Sequence, residues 1–453
     1  MNREIFREYD IRGNVEQDLT DEVVANIGRA VAAYMKARGK RAATIGRDCR
    51  LSSEHFKDLL VEAMVKGGLD VTDLGVVPTP LFYFSLFNLN ADGGVMVTGS
   101  HNPPEFNGFK VAFDRTTLYG PEIQSLADII EKKRFVEGKG SRSEYPHIIE
   151  DYYQFLRTNL KLDKKLKVVV DAGNGTGGVV ACPIMEEMGQ EVVPLFCDMD
   201  GHFPNHFPDP TVEKNIETLR KTVLETGADI GIGYDGDADR IGVIDEKGTI
   251  IWGDYLMIIF AREVLKEHKG ASFVSEVKCS KNLYDDIEKH GGKAVMWKAG
   301  HSLIKKKMKE VNALLGGEMS GHMFFADRFF GYDDAVYASL RLLEIMGKQG
   351  IPLSRFLSDL PKTYSTPEIR VDCPEKLKFR VVQALTDYYK RTFPVIDIDG
   401  VRVSLPDGWG LVRASNTQPI LVLRFEADTG PGLDRIQNMI MNDLQRIMKE
   451  QQQ

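Results

Sequence analysis

The feature that most constrains the fold is a repeated alternation of short apolar runs with amphipathic helical patterns. Residues 167–170, 229–234 and 272–277 have the apolar, β-branched character of strands, and residues 255–267 and 281–290 have the periodicity of helices. Strands that alternate with helices in this way favour mixed or mostly parallel sheets covered by helices. The predicted fold class for most of the chain is therefore α/β.

The C-terminal part has a different pattern. Strand-like runs around 401–404, 411–414 and 420–426 come before one helical segment that follows Pro431 and Gly432, an order typical of an α+β domain. A chain of 453 residues is too long for one core, so we expect several domains. Candidate boundaries are the polar segments 137–144, 245–248 and 360–368.

Charge and cysteine content exclude several classes of protein. A net charge of −8 argues against nucleic acid or an anionic membrane as the main partner. The five cysteines are scattered without a CxxC pair, which disfavours both a disulfide framework and a zinc site. The N-terminus lacks the apolar core of a signal peptide, and no run has the length of a membrane span. We therefore expect a cytoplasmic protein.

The segment "DGDADR" (235–240) follows a predicted strand and carries Asp235, Asp237 and Asp239 at alternate positions. Three carboxylates in one turn suit a hard cation such as Mg²⁺, and the guanidinium of Arg240 suits a phosphoryl oxygen. The alternatives are an acidic surface turn or half of an EF-hand. An EF-hand needs glycine at loop position six, where this chain has Arg240.

A second polar segment, "TGSHNPPEFNGFK" (98–110), begins where an apolar run ends and places Ser100 beside His101. The pair suggests either a nucleophile with its base or a simple turn. Neighbours in an extended chain point to opposite sides. We therefore predict that His101 orients the loop or contacts phosphate and does not deprotonate Ser100.

The segment "GNGTGG" (173–178) matches the dinucleotide-binding pattern, with Asp198 about twenty residues further on. A lone match is weak evidence, because glycine-rich turns also occur where a helix packs closely on a sheet. We interpret this segment as a structural turn.

Two further loops carry groups that suit a sugar phosphate. In "GGEMSGH" (316–322), Glu318, Ser320 and His322 share one side if the loop is extended, and such groups suit sugar hydroxyls. In "RASNTQP" (413–419), an arginine, hydroxyls and an amide suit an anion, and the residues are Arg413, Ser415, Asn416 and Thr417. Taken alone, each loop is also consistent with an ordinary polar turn.

Isolated polar residues are weaker candidates. Tyr9 and Arg12 lie in "FREYDIRG" (6–13), Lys278 lies at a strand end, and His301 lies at a helix start. Taken alone, an ordinary surface segment is the favoured explanation for Tyr9 and Arg12, and a helix cap or surface group for His301. A solvated lysine explains Lys278 as well as a ligand-binding role does. Together, however, the serine loop, the metal loop and the two polar loops predict phosphoryl transfer involving a sugar phosphate.

Four motifs in order, "TGSHNP", "DGDADR", "GEMSGH" and "RASNTQP", together with "YDIRG", resemble the α-D-phosphohexomutase family over nearly the whole chain. Within that family they are closest to the bacterial phosphomannomutase/phosphoglucomutase group. The resemblance implies four domains around a central cleft, with α/β domains at 1–145, 146–248 and 249–361. A smaller α+β domain at 362–453 completes the expected architecture.

The resemblance also implies a reaction and a site. The expected reaction moves a phosphoryl group between C1 and C6 of mannose or glucose phosphate, through a phosphoserine and a hexose 1,6-bisphosphate. Ser100 is then the phosphoserine, and Mg²⁺ is held by Ser100, Asp235, Asp237 and Asp239. The candidate catalytic residues are Ser100, Lys110, Arg240, His301 and Arg12. The candidate substrate-binding residues are Tyr9, Lys278, Glu318, Ser320, His322, Arg413, Ser415, Asn416 and Thr417.

The chain departs from the usual family pattern at Ala238, where many members have glycine, and at Gln418, where a glutamate is common. The alternative functions are a phosphoglucosamine mutase, a phosphatase in which water reaches the phosphoserine or the intermediate, and a sugar-phosphate-binding protein without catalysis. Met319 favours the mannose and glucose group over the glucosamine group. We expect a hexose phosphate as the partner, no nucleic acid or membrane, and a monomer or weak homo-oligomer.

Overall fold

A computed structural model of the protein describes residues 1–415 and 418–452. Its strands form four sheets, and the elements of each sheet follow one another along the chain. Three of the sheets mix parallel and antiparallel pairs, and the last is antiparallel. The predicted α/β class with a C-terminal α+β domain is confirmed.

The first sheet has the strand order β1-β5-β4-β2-β3-β7, with β6 paired to β5. Its strands are β1 (Ile11–Asn14), β2 (Ala42–Arg47), β3 (Asp70–Val76), β4 (Gly93–Val97), β5 (Phe106–Phe113), β6 (Thr116–Thr117) and β7 (Arg142–Glu144). Its helices are α1 (Asp21–Lys36), α2 (Ser53–Lys66), α3 (Thr79–Asn88) and α4 (Pro121–Glu131). Strands β4 and β5 form an antiparallel hairpin, so residues 98–105 are its turn.

The second sheet has the order β12-β11-β10-β8-β9. Its strands are β8 (Lys167–Asp171), β9 (Glu191–Leu195), β10 (Ile230–Tyr234), β11 (Ile241–Asp245) and β12 (Ile250–Ile251). Its helices are α5 (Ile148–Asn159), α6 (Gly178–Glu187) and α7 (Glu217–Thr226). The antiparallel register of β10 and β11 pairs Tyr234 with Ile241, so the predicted metal loop is the turn of a hairpin.

The third sheet has the order β14-β13-β15-β16. Its strands are β13 (Ser272–Glu276), β14 (Lys293–Trp297), β15 (Leu315–Gly317) and β16 (Met323–Phe325). Its helices are α8 (Gly253–Glu267), α9 (Lys281–Lys289), α10 (His301–Val311) and α11 (Ala335–Gln349). Here too a hairpin, β15–β16, is attached to parallel strands.

The fourth sheet has the order β17-β22-β21-β20-β19, with β18 also paired to β22. Its strands are β17 (Tyr364–Ser365), β18 (Ile369–Asp372), β19 (Val395–Ile396), β20 (Val401–Leu405), β21 (Gly408–Ala414) and β22 (Ile420–Ala427), and its helices are α12 (Glu375–Tyr389) and α13 (Gly430–Gln452). Short 3₁₀ helices occur at Arg3–Ile5, Glu213–Ile216 and Leu353–Arg355.

The apolar core ties the first three sheets together. One continuous cluster of buried side chains includes Phe82 of α3, Tyr152 of α5 and Tyr337 of α11. The fourth sheet packs its own helices over a separate cluster that contains Leu423 and Ile436. Among the described helices, none combines the length and apolar character that a membrane span requires.

Candidate active site

One cleft of about 1050 Å³ is lined by residues that follow strands of all four sheets. It contains Ser100 from the first hairpin, Arg240 from the second, Glu318 from the third and Arg413 from the fourth sheet. Further predicted site residues on its wall are Tyr9, Arg12, Lys110, Asp239, Lys278, His301, Ser320, His322 and Ser415. The fold therefore brings distant sequence motifs to one place.

Ser100 meets the acidic turn directly. Its hydroxyl donates a hydrogen bond to Asp235 Oδ2 at 2.8 Å, and the side chain is 3% exposed. Ligand atoms of Asp235, Asp237 and Asp239 all lie within 4.8 Å of one another. Among the described residues, Asp237 Oδ1 and Asp239 Oδ1 are buried without a hydrogen-bond partner. Unpaired carboxylate oxygens this close together fit a hard cation such as Mg²⁺.

Lys110 lies on β5, opposite Met96 in the β4–β5 register. Its ammonium donates to Asp237 Oδ2 at 2.8 Å and also to Asp239. Burial alone would lower the pKa of Lys110, but the carboxylates of Asp237 and Asp239 raise it well above its usual value. Lys110 is therefore a permanent cation beside the acidic turn.

The backbone at Ser100 corrects one expectation. Ser100 has a φ of 48°, in the left-handed region, so the chain is not extended there. As a result, the Ser100 hydroxyl lies 3.0 Å from His101 Nδ1. The premise that the two side chains point to opposite sides was wrong, because a tight turn replaces the extended chain. Burial, together with Arg240 and Arg12, holds the pKa of His101 well below its usual value.

The third hairpin also differs from its predicted form. The Glu318 amide donates to the His322 carbonyl at 3.0 Å, so residues 318–322 form a tight turn and not an extended loop. Arg240 Nε donates to His322 Nε2 at 3.0 Å. The proton of this imidazole is then on Nδ1, which faces the Asp239 carbonyl at 3.1 Å. His322 thus orients Arg240 as well as lining the cleft.

Buried acceptors hold the turn at residues 318–322. Glu318 accepts a hydrogen bond from the Gly300 amide at 2.7 Å. Behind it, the fully buried Glu276 accepts from the amides of Lys278 at 2.6 Å and Met319 at 3.3 Å. Lys278 reaches Glu368 of the fourth domain at 3.3 Å.

The N-terminal segment also contributes to the wall of the cleft. The Tyr9 hydroxyl donates to the Ala299 carbonyl at 2.7 Å, and Arg12 pairs with Asp10 at 2.6 Å. His301 Nδ1 lies 3.6 Å from the Asp333 carboxylate. Burial and the nearby Lys305 lower the pKa of His301 well below its usual value, so this imidazole is neutral near pH 7.

The fourth loop contributes Arg413 and Ser415 to the wall of the cleft. Arg413 Nε lies 3.0 Å from Asp399 Oδ2, and Ser415 Oγ accepts from the Gln418 amide at 3.1 Å. The predicted residues Asn416 and Thr417 lie outside the described part of the chain. Lys378 of α12 is buried and donates to the carbonyls of Ser415 at 2.6 Å and Gln418 at 3.2 Å.

The glycine turn before α6 packs against the metal loop. A Cβ on Gly175 would lie 2.6 Å from the Gly236 carbonyl oxygen, and a Cβ on Gly178 would lie 2.7 Å from the Cys197 Cα. The Thr176 amide also donates to the Gly236 carbonyl at 3.0 Å. Close backbone approach therefore explains these glycines, as the structural interpretation requires.

Several charged residues of the cleft were not found from the sequence. They are Arg7, Asp10, Asp209, Glu213, Lys214, Glu368, Arg370 and Arg424. Arg7 and Asp10 lie inside the "FREYDIRG" segment, which was a usable signal. Asp209 lies between regular elements and Lys214 lies in the short 3₁₀ helix Glu213–Ile216, where apolar periodicity has no predictive power.

Family models match the chain along almost its whole length. The models described as phosphoglucomutase/phosphomannomutase domains I, II and III match residues 3–137, 149–248 and 252–364. The model of the C-terminal domain of the same family matches residues 368–443.

Similar proteins cover the same length. The chain is 46% identical to a phosphomannomutase/phosphoglucomutase of Pseudomonas aeruginosa, covering 98% of this chain and 96% of that protein. It is 45% identical to a phosphoglucomutase of Neisseria meningitidis, covering 96% and 95%. The crystal structure of a phosphoglucomutase/phosphomannomutase family protein from Burkholderia thailandensis superposes with a TM-score of 0.93 at 40% identity, covering 100% and 98%.

Proposed function

The chain belongs to the phosphoglucomutase/phosphomannomutase family, and from this we propose that Ser100 carries the phosphoryl group that the enzyme moves. The protein is a phosphotransferase that moves a phosphoryl group between C1 and C6 of a hexose phosphate. One observation supports Ser100 above all. Its hydroxyl lies 2.8 Å from Asp235, in the acidic turn, inside a cleft that gathers residues of four loops.

The acidic turn is our proposed magnesium site, in a family that depends on magnesium. Asp235, Asp237 and Asp239 supply the oxygen ligands, and the Ser100 oxygen is the fourth protein ligand. When bound, the ion supplies charge neutralisation at the phosphoserine oxygens. Lys110 and Arg240 provide further positive charge beside the transferring group.

The proton transfer is assigned by elimination. A guanidinium such as Arg12 does not release its proton, and the carboxylates keep Lys110 protonated. His301 is neutral and lines the cleft, so it is the proposed base for the sugar hydroxyl, whereas His101, whose pKa is also lowered, has its Nδ1 engaged with the Ser100 hydroxyl at 3.0 Å. Glu318, Ser320, His322 and Lys278 are proposed to bind the sugar. The loop with Arg413, Ser415, Asn416 and Thr417 is proposed to bind the phosphate that does not react.

The proposed reaction is reversible and has two transfers. Phospho-Ser100 donates its phosphoryl group to the free hydroxyl of mannose or glucose phosphate, forming a hexose 1,6-bisphosphate. The bisphosphate turns around and returns its other phosphate to Ser100. All four loops belong to one chain, which supports an enzyme that works as a monomer or weak homo-oligomer. We place it in the cytoplasm because its five cysteines are free.

Intact-mass spectrometry tests the assignment of Ser100. We expect a phosphate adduct on the wild type after incubation with glucose 1,6-bisphosphate, and its loss in Ser100→Ala. Ser358→Ala, a change at an exposed serine, is the matched control and should keep the adduct. An adduct that persists in Ser100→Ala refutes the assignment. Assays with glucose 1-phosphate, mannose 1-phosphate and glucosamine 1-phosphate then rank the substrates.

A further inference from the structure

A buried arginine outside the cleft holds the serine loop. Arg50 follows β2, is 1% exposed and is not among the residues that line the cleft. Its two terminal nitrogens donate to the carbonyl oxygens of Ser100 at 2.8 Å, Asn102 at 2.5 Å, Pro103 at 2.7 Å and Phe106 at 3.0 Å. One side chain therefore binds the backbone along the turn that carries Ser100.

Asp48 completes this arrangement. Its carboxylate lies 3.2 Å from Arg50 Nε and accepts a hydrogen bond from the Gly99 amide at 3.2 Å. The N–H groups at the two terminal nitrogens thus all donate to backbone carbonyls, whereas Nε lies within ion-pair distance of Asp48 without a hydrogen bond. Lysine has three N–H groups at a single nitrogen and does not reproduce this pattern.

Steric contact explains why the loop has glycine at position 99. A Cβ on Gly99 would lie 2.5 Å from Arg50 Nε and 2.6 Å from its Cζ. The guanidinium therefore lies against the backbone immediately before Ser100. Ser100 itself has a φ of 48°, a conformation that residues other than glycine adopt rarely and only when their surroundings hold them.

We propose that Arg50 is a positioning residue for phosphoryl transfer, which holds the Ser100 turn in its left-handed conformation and the Ser100 oxygen beside the acidic turn. This inference rests on the proposed role of Ser100. Arg50 acts through the backbone carbonyls, so its loss should impair transfer without removing any group that touches the substrate.

Two measurements separate transfer from binding. The first is the single-turnover rate at which glucose 1,6-bisphosphate phosphorylates Ser100, followed by intact mass. The second is the Kd of the dephosphorylated enzyme for glucose 1-phosphate. Arg50→Lys should lower the transfer rate and kcat by about 100-fold. The Kd should stay within about twofold of the wild type, because the sugar and distal-phosphate groups lie on other loops.

Two further variants keep the test decisive. Gly99→Ala displaces the guanidinium without changing its charge and should show the same loss of transfer. Arg341→Lys is the matched control, because Arg341 is also buried and donates to Asp327 at 2.8 Å, away from the cleft. It should lower the Tm and leave the transfer rate unchanged.

The proposal is overturned if folded Arg50→Lys transfers phosphate at the wild-type rate, or if Arg341→Lys loses transfer equally. It is also overturned if, in both Arg50→Lys and Gly99→Ala, the Kd rises as much as the transfer rate falls. Failure of the proposed role of Ser100 can be distinguished from failure of this inference, because Ser100→Ala would then keep its phosphate. If Arg50→Lys does not fold, the transfer rate of Gly99→Ala tests the proposal.

Discussion

At the scale of single residues, the acidic turn buries several negative charges, and Lys110 partly compensates for them. Three carboxylates lie within one turn, and Asp235, Asp237 and Asp239 are all at most 1% exposed. Burial and the neighbouring carboxylates raise the pKa of Asp235 well above its usual value. The ammonium of Lys110 offsets part of this repulsion, and a bound cation offsets more.

We therefore predict that the stability of the Lys110→Met variant depends strongly on magnesium. Without divalent ions, the variant should lose about 3–5 kcal/mol of unfolding free energy, because buried carboxylates lose their partner. Saturating Mg²⁺ should restore much of this loss, which chemical denaturation in EDTA and in MgCl₂ would measure. Lys36→Met, at an exposed lysine, is the control. A loss that Mg²⁺ leaves unchanged contradicts the prediction.

At the scale of elements, the three α/β units share one structural feature at the cleft. In each unit an antiparallel hairpin is attached to parallel strands. The turn of β4–β5 carries Ser100, the turn of β10–β11 carries the three carboxylates, and the turn of β15–β16 is residues 318–322. The hairpin β21–β22 holds the loop after Arg413 that we propose to bind phosphate, called the phosphate loop below. Helices and turns behind these hairpins then determine how precisely each loop is held.

Lys378 of α12 tests this support for the phosphate loop. Its ammonium binds the Ser415 and Gln418 carbonyls on either side of the loop. Lys378→Met should raise the KM for glucose 1-phosphate by about tenfold, the equivalent of about 1.4 kcal/mol, and change kcat less. Lys376→Met, on the exposed side of the same helix, should behave like the wild type. Unchanged KM in Lys378→Met would exclude the supporting role.

The glycine turn before α6 should matter for metal binding. In Gly175→Ala the new methyl group would meet the Gly236 carbonyl, so we expect weaker Mg²⁺ affinity by isothermal titration calorimetry. Gly347→Ala is a matched control in α11, where the nearest side-chain atom to the new Cβ is 3.5 Å away. This control should keep its affinity and gain about 0.5–1 kcal/mol of stability. Equal affinity in both variants would contradict a supporting role for Gly175.

At the scale of the whole molecule, the first three domains share an apolar core, whereas the fourth joins the third through a small apolar cluster of Val277, Trp409 and Leu411 and through polar contacts. Arg402 donates to the carbonyls of Val277 at 2.7 Å and Cys279 at 2.8 Å, and Arg424 donates to Asp254 at 3.1 Å. Within the shared core, Tyr152 of α5 donates to Asp334 at the start of α11 at 2.7 Å. This last contact makes the packing of the second and third domains sensitive to pH.

Burial raises the pKa of Asp334 to about 7, from a usual value of 3.8. Between these values the folded state holds a proton that the unfolded state has released, so this group lowers the unfolding free energy as pH rises. Asp334→Asn keeps an acceptor for the Tyr337 amide and should flatten the decline by up to about 1.4 kcal/mol per pH unit. Urea denaturation at pH 5 and pH 7 measures the difference. Asp163→Asn, at an exposed aspartate, should leave the slope unchanged.

The sequence by itself determined the chemistry and the fold class. Apolar periodicity predicts α/β units because burial of one face follows from local pattern, and the carboxylate, serine and arginine loops taken together predict phosphoryl transfer. The glycine segment was also interpreted correctly as a structural turn. Neighbouring residues carry these signals, whereas the role of each site residue was implied only by the resemblance of the ordered motifs to a known family.

Only the tertiary structure decided how the loops are held and which neighbours meet. Arg50 lies 50 residues before the Ser100 carbonyl that it binds, and Lys378 lies 37 residues before Ser415. The left-handed turn that brings His101 to Ser100, and the bond between Arg240 and His322, depend on such distant contacts. Local pattern cannot predict them, because a backbone conformation that is unfavourable by itself is chosen by the side chains that chain folding brings around it.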